Sequence, residues 1–134
     1  MAAVIREVFI NAPATVAWSA VKDVGNVHTR LVPGFVTDCS LKGEERTVTF
    51  VNGVVIREVI VSIDDQHMRV SYASVGGQSR HHNASIQIFT AGEKCRLLWV
   101  TDVLPDEFAS YILSNVEAAL PIIKTTIELA KVAT

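Results

Sequence analysis

Charge of one sign, long apolar runs, paired cysteines and metal-type histidine spacing are all missing from this sequence. Each absence removes a class of function. Twelve basic residues stand against fourteen acidic ones, for a formal net charge of −2. With both signs interspersed there is no basic field for nucleic acid and no polybasic segment for an anionic membrane surface. No apolar run approaches the ~18 residues of a membrane span. Arg6 and Glu7 interrupt MAAVIREVFI before a signal-peptide core could form. The expectation is a cytoplasmic protein without membrane insertion. Cys39 and Cys95 share no C-x-x-C spacing and make no disulfide framework, so reduced thiols are the simplest reading. His28, His67, His81 and His82 show no H-x-x-x-H or histidine–carboxylate helical spacing, so neither metal nor cofactor is expected. The glycine patterns of P-loops, dinucleotide-binding turns and G-x-S-x-G nucleophile elbows are absent too.

What is present is apolar: 49% of the 134 residues. That suits one domain, residues 1–134, with a real core and apolar surface to spare for a ligand. AVIREVFI (3–10) reads as a strand. NAPATVAWSAVKDV follows, with Pro13 in a helix's first turn and Val16, Ala17, Ala20 and Val21 at helical spacing. Gly25 ends that helix, and a second short one fits 26–31 before Pro33-Gly34. Residues 35–103 then read as six strands in an antiparallel meander: FVTDCSL, RTVTFV, VVIREVIVSI, MRVSYAS, HHNASIQIF and CRLLWVTDV. Asn52-Gly53 predicts a two-residue type I′ hairpin turn. From 106 to 132, Phe108, Ile112, Val116, Ala119, Ile123, Ile127 and Ala130 form one apolar helical stripe, and Pro121 should kink that helix. The predicted order is β-α-α-β6-α.

This order, with INAPATVAWSAVKDV leading into the Asp23–Pro33 stretch, resembles the START/Bet v 1-like (SRPBCC) superfamily, in its bacterial polyketide cyclase/dehydrase and lipid-transport form. The resemblance spans nearly the whole chain. It implies an α+β helix-grip fold, a curved antiparallel sheet around a long C-terminal helix, with an apolar cavity between them. It implies binding of lipids, polyketides or aromatic molecules, and catalysis in some members only.

Strand alternation then sorts the candidate residues. In SRHHNASIQIF, His82 shares a face with Ala84, Ile86 and Ile88, while His81 goes with Asn83 and Ser85. His82 should point into the cavity and His81 into water. By the same phase Phe50, Val70, Tyr72 and Trp99 look inward, and Phe108, Ile112 and Val116 approach from the helix. Arg46 falls in phase with Val48 and Phe50. Arg57 and Glu58 cannot be assigned, since both phases of 54–63 are apolar; the plainer reading has both charges in water. The resemblance puts His28 and Arg30 at the cavity mouth. A nucleophile assembled from Cys39 or Cys95 with His82 is disfavoured, because both cysteines look like small core residues.

Three functions follow. The leading one is binding of a small hydrophobic or amphipathic ligand, oriented by Tyr72, His82 and Trp99. The second is a cyclase/dehydrase-like enzyme, with His82 as acid or base and Tyr72 polarising a carbonyl. The third is an interaction module with a self-filled core, for example a homodimer.

Overall fold

A computed structural model describes residues 2–133. Strand β1 (Ala2–Ile10) leads into helices α1 (Ala14–Val21) and α2 (Val27–Arg30). Six strands follow: β2 (Val36–Lys42), β3 (Glu45–Phe50), β4 (Val55–Asp64), β5 (Arg69–Val75), β6 (His81–Ala91) and β7 (Lys94–Leu104). A 3₁₀ turn (Asp106–Phe108) precedes the long helix α3 (Ala109–Ala133). The strands form one antiparallel sheet in the order β1-β7-β6-β5-β4-β3-β2. This is the helix-grip α+β arrangement expected from the element order.

The first strand closes onto the last, so β1 lies beside β7 at one edge of the sheet. Alternation does the rest. Along β6 and β7, Ala84, Ile86, Ile88, Cys95, Leu97, Thr101 and Val103 are buried, Trp99 shares their face, and the alternate residues reach the outer face. Val116, Ala119, Leu120, Ile123 and Ile127 of α3 close the core from the other side. α3 runs unbroken through Pro121, whose ring is exposed. Its later turns are tied to β1 and the turn after it: Lys124 Nζ donates to the Phe9 carbonyl at 3.0 Å, and the Asn11 N–H donates to Glu128 at 2.7 Å. α1 is held from the far end of the sheet. The Trp18 indole N–H donates to Asp65 Oδ1 at 2.9 Å, at the tip of the β4–β5 hairpin.

Two local expectations change. Asn52-Gly53 does not form a type I′ turn: φ is positive at Gly53 (+90°) but not at Asn52. The Phe50 N–H donates to the Val54 carbonyl and the Gly53 N–H to that of Phe50, both at 2.8 Å. This is a three-residue loop with a left-handed glycine at its third position, which suits hairpins as well as the two-residue turn. In β4 the pairing shifts between Ile60 and Ser62. Ile60 pairs with Tyr72 and Ile63 with Val70, so the phase of 56, 58 and 60 shifts to 63; Val61 bulges into solvent and Ile63, near the strand end, is itself half-exposed.

Candidate functional site

A cavity of about 510 Å³ lies between the sheet and the first half of α3. Val48, Phe50, Val70, Ile86 and Trp99 line it from the sheet, and Val27, Leu31 and Phe35 from α2 and the loop after it. Phe108, Ile112 and Val116 line it from the helix side. Tyr72 and His82 are in the wall, and so are Arg46, Glu58, Ser74 and Thr101.

The polar groups form a row across four strands. Arg46 pairs with Glu58 in the β3–β4 ladder, and Glu58 with Ser74 in the β4–β5 ladder. The β5–β6 ladder stops at Tyr72–Ala84, two pairs before His82 would face Ser74. There the Ser74 N–H donates to His82 Nδ1 at 3.1 Å, so an imidazole stands in for the missing backbone acceptor. The bond decides the tautomer: with Nδ1 accepting, the neutral ring carries its proton on Nε2. Nε2 has no hydrogen-bond partner among the described residues. Burial holds the His82 pKa below its ordinary value, and the Glu58 charge only partly opposes this.

Arg46 and Glu58 correct the reading that left both strand charges of β4 in water. Glu58 is 9% exposed and Arg46 6%. Arg46 Nε donates to Glu58 Oε1 at 2.8 Å, and Nη1 to the Val24 carbonyl at 3.1 Å. The guanidinium also lies 4.8 Å from the centre of the Tyr72 ring. Arg57 points outward and pairs with Glu45 at 2.7 Å.

Tyr72 is fully enclosed. The Trp99 indole N–H donates to its oxygen at 3.1 Å. Burial, reinforced by the Glu58 charge, pushes the phenol pKa well above its usual range, so the hydroxyl keeps its hydrogen. No acceptor for that hydrogen lies among the described residues. The Tyr72 and His82 rings are 6.2 Å apart, centre to centre. Thr101, 2% exposed, also meets the cavity without a hydrogen-bond partner among the described residues.

The nine residues assigned to the cavity from the sequence (Phe50, Val70, Tyr72, His82, Ile86, Trp99, Phe108, Ile112 and Val116) all lie in its wall. His81 is on the outer face and bonds to Asn83. The two mouth residues fall elsewhere. Arg30 turns back onto α1, donating to the Ser19 carbonyl (3.0 Å), Ser19 Oγ (2.9 Å) and Asp23 (3.1 Å). His28 does not line the cavity either; α2 sends Val27 and Leu31 there instead. A four-residue helix turns only part of its surface inward, and the apolar residues take that part. Sequence reasoning missed Ser74, did not single out Thr101, and left Glu58 unassigned. The in-phase Arg46 was the signal for Glu58, since a buried cation requires a partner.

Cys39 and Cys95 are free thiols outside the cavity wall, and burial raises the pKa of both. At Cys39 the nearby Arg46 charge opposes this but does not outweigh burial, and Cys95 has no such neighbour, so neither thiol is activated as a nucleophile. Among the described residues no cluster of three metal-ligating side chains occurs, and no helix is long and apolar enough to cross a membrane.

The model of the polyketide cyclase/dehydrase and lipid transport family matches residues 1–128. The chain belongs to that family. No curated protein matches its sequence. Among solved structures, an uncharacterised protein from Bacillus thuringiensis superposes with a TM-score of 0.84 at 14% identity, over 94% of this chain and 98% of that one. A protein from Thermobifida fusca gives 0.79 at 22% identity, over 98% and 96%. Norcoclaurine synthase from Thalictrum flavum, in complex with dopamine and hydroxybenzaldehyde, gives 0.75 at 16% identity, over 98% and 87%. At these identities the likeness is one of fold.

Proposed function

We propose that this family member binds a small hydrophobic or amphipathic molecule in the cavity between sheet and α3. One observation carries the reading: an apolar volume of about 510 Å³ with a few polar groups in its wall, His82, Tyr72 and Thr101 on the sheet and Asn115 on the helix, each with hydrogen-bonding capacity left over. That size falls in the range of small-molecule sites, which join an apolar lining to a few placed polar groups. Open volume of this size speaks against a self-filled core. The family's description and norcoclaurine synthase with its two small aromatic ligands support the same class of occupant. The setting we assign is cytoplasmic, with Cys39 and Cys95 as thiols and no nucleic-acid role at a net charge of −2.

A catalytic reading has one observation in its favour: a neutral imidazole with a free Nε2–H beside a free phenol O–H. Such a pair can polarise a carbonyl or pass a proton to it.

Native mass spectrometry of the gently purified protein, with extraction of anything carried along, tests the binding reading. A stoichiometric apolar passenger is expected. A clean apo mass in a dimeric ion would move the balance to an interaction module. His82→Ala should lose the passenger and His81→Ala keep it; equal losses would sink the assignment of the two faces.

A further inference from the structure

We propose that the cavity selects an uncharged ligand bearing a carbonyl-type oxygen and discriminates against the matching carboxylate. The inference rests on the binding reading and adds the polarity and charge of the ligand.

Consider first which hydrogens are left over. Ser74 occupies His82 Nδ1, so the atom presented to the cavity is an N–H donor. Trp99 donates to the Tyr72 oxygen, so the phenol's own hydrogen is still to be placed. Both groups stand on the inward face of neighbouring strands with their rings 6.2 Å apart. Two neutral donors on adjacent rings of a largely apolar wall suit an oxygen that only accepts. A purely hydrocarbon ligand would leave both donors dry and unpaired, which is costly in a buried site.

The charges decide between acceptors. Arg46 is the buried cation of the wall, and Glu58 neutralises it at 2.8 Å. Burial keeps His82 from supplying a positive charge near neutrality. Arg57, at the rim, is more than half exposed and already paired with Glu45. A carboxylate entering beside Tyr72 and His82 would therefore lose its water, meet no unpaired cation and face the Glu58 charge. A ketone, aldehyde or ester oxygen takes the same two hydrogen bonds without that cost.

The test uses one apolar body with three heads: 2-acetylnaphthalene, 2-naphthoate and 2-ethylnaphthalene. Each competes at pH 7.5 against N-phenyl-1-naphthylamine, an uncharged fluorescent probe of apolar cavities. The ketone is expected to displace the probe at concentrations about tenfold below those of the hydrocarbon and of the carboxylate, the size of one to two net hydrogen bonds. Tyr72→Phe and His82→Leu should each shrink the ratio between the ketone's and the hydrocarbon's displacement midpoints toward one, whatever either does to apolar affinity overall; an unchanged ratio in both variants overturns the inference. Probe uptake with the carboxylate equal to or better than the ketone overturns this inference and leaves the binding reading standing. Failure of the probe and all three competitors to bind a folded protein overturns both.

Discussion

Arg46 and Glu58 stand directly opposite each other on β3 and β4 and close a 2.8 Å ion pair inside the protein. Their side chains are about one-tenth exposed, which puts the pair in the class where removing one partner costs more than the pair is worth. Glu58→Ala should destabilise the fold by about 3–5 kcal/mol, because it strands a buried guanidinium. The double variant Arg46→Met with Glu58→Leu should recover most of the loss. Urea midpoints at constant m-value give the comparison; a double variant as unstable as Glu58→Ala would contradict it.

His82 makes stability depend on pH in a known direction. Its pKa in the fold lies below its ordinary value of 6.5, so the unfolded chain binds the proton more readily. Its contribution is full above about pH 6.5 and is lost as pH falls through the lower folded value. Protonating Nδ1 also removes the acceptor of the Ser74 N–H. Unfolding free energy should fall between pH 7.5 and 5 more steeply for the parent than for His82→Gln. The imidazole nitrogen resonances at pH 7.5 should show Nε2 protonated and Nδ1 bare. A protonated Nδ1 would contradict the tautomer.

Apolar truncations should separate core from cavity wall. Leu97 is wholly buried away from the open volume, and Leu97→Ala should cost about 2–5 kcal/mol. Ile112 already borders empty space, so Ile112→Ala adds less new void and should cost less, while changing displacement of a bound probe. Thermal unfolding of the two variants with and without N-phenyl-1-naphthylamine reads both effects. Equal costs with unchanged probe binding would show that Ile112 is ordinary core.

The β3–β4 hairpin depends on one backbone conformation. Gly53 has φ +90°, which a residue with a Cβ adopts only under strain. Gly53→Ala should destabilise by about 1–3 kcal/mol, and Asn52→Ala by less, losing its bond to the Val54 N–H. Equilibrium denaturation of both variants checks the ranking.

Element order was readable from the chain because alternation and turn residues agree over most of it. His82 could be told from His81, and Tyr72 and Trp99 could be turned inward, by the same alternation. β4 resisted because both of its phases are apolar and because the bulge after Ile60 changes phase within the strand. No local pattern records a bulge of that kind; it is a property of the pairing with β5. Thr101 shares the alternation phase of Trp99, but its lack of a partner is visible only when its neighbours are in place. His28 and Arg30 were misplaced for a related reason: a short helix of mixed composition does not say which side it buries.

The ties between α3 and its neighbours divide that helix by task. Lys124 and Glu128 fasten its later turns to Phe9 and Asn11, whereas the cavity wall is made by its earlier turns and the residues just before them, from Phe108 to Ala119. Arg6 of β1 adds one exposed tie to the earlier half, reaching Glu117 at 3.3 Å. The two halves of one continuous helix therefore answer to different selections: the later half to the fit with β1, the earlier half to the shape of whatever fills the cavity.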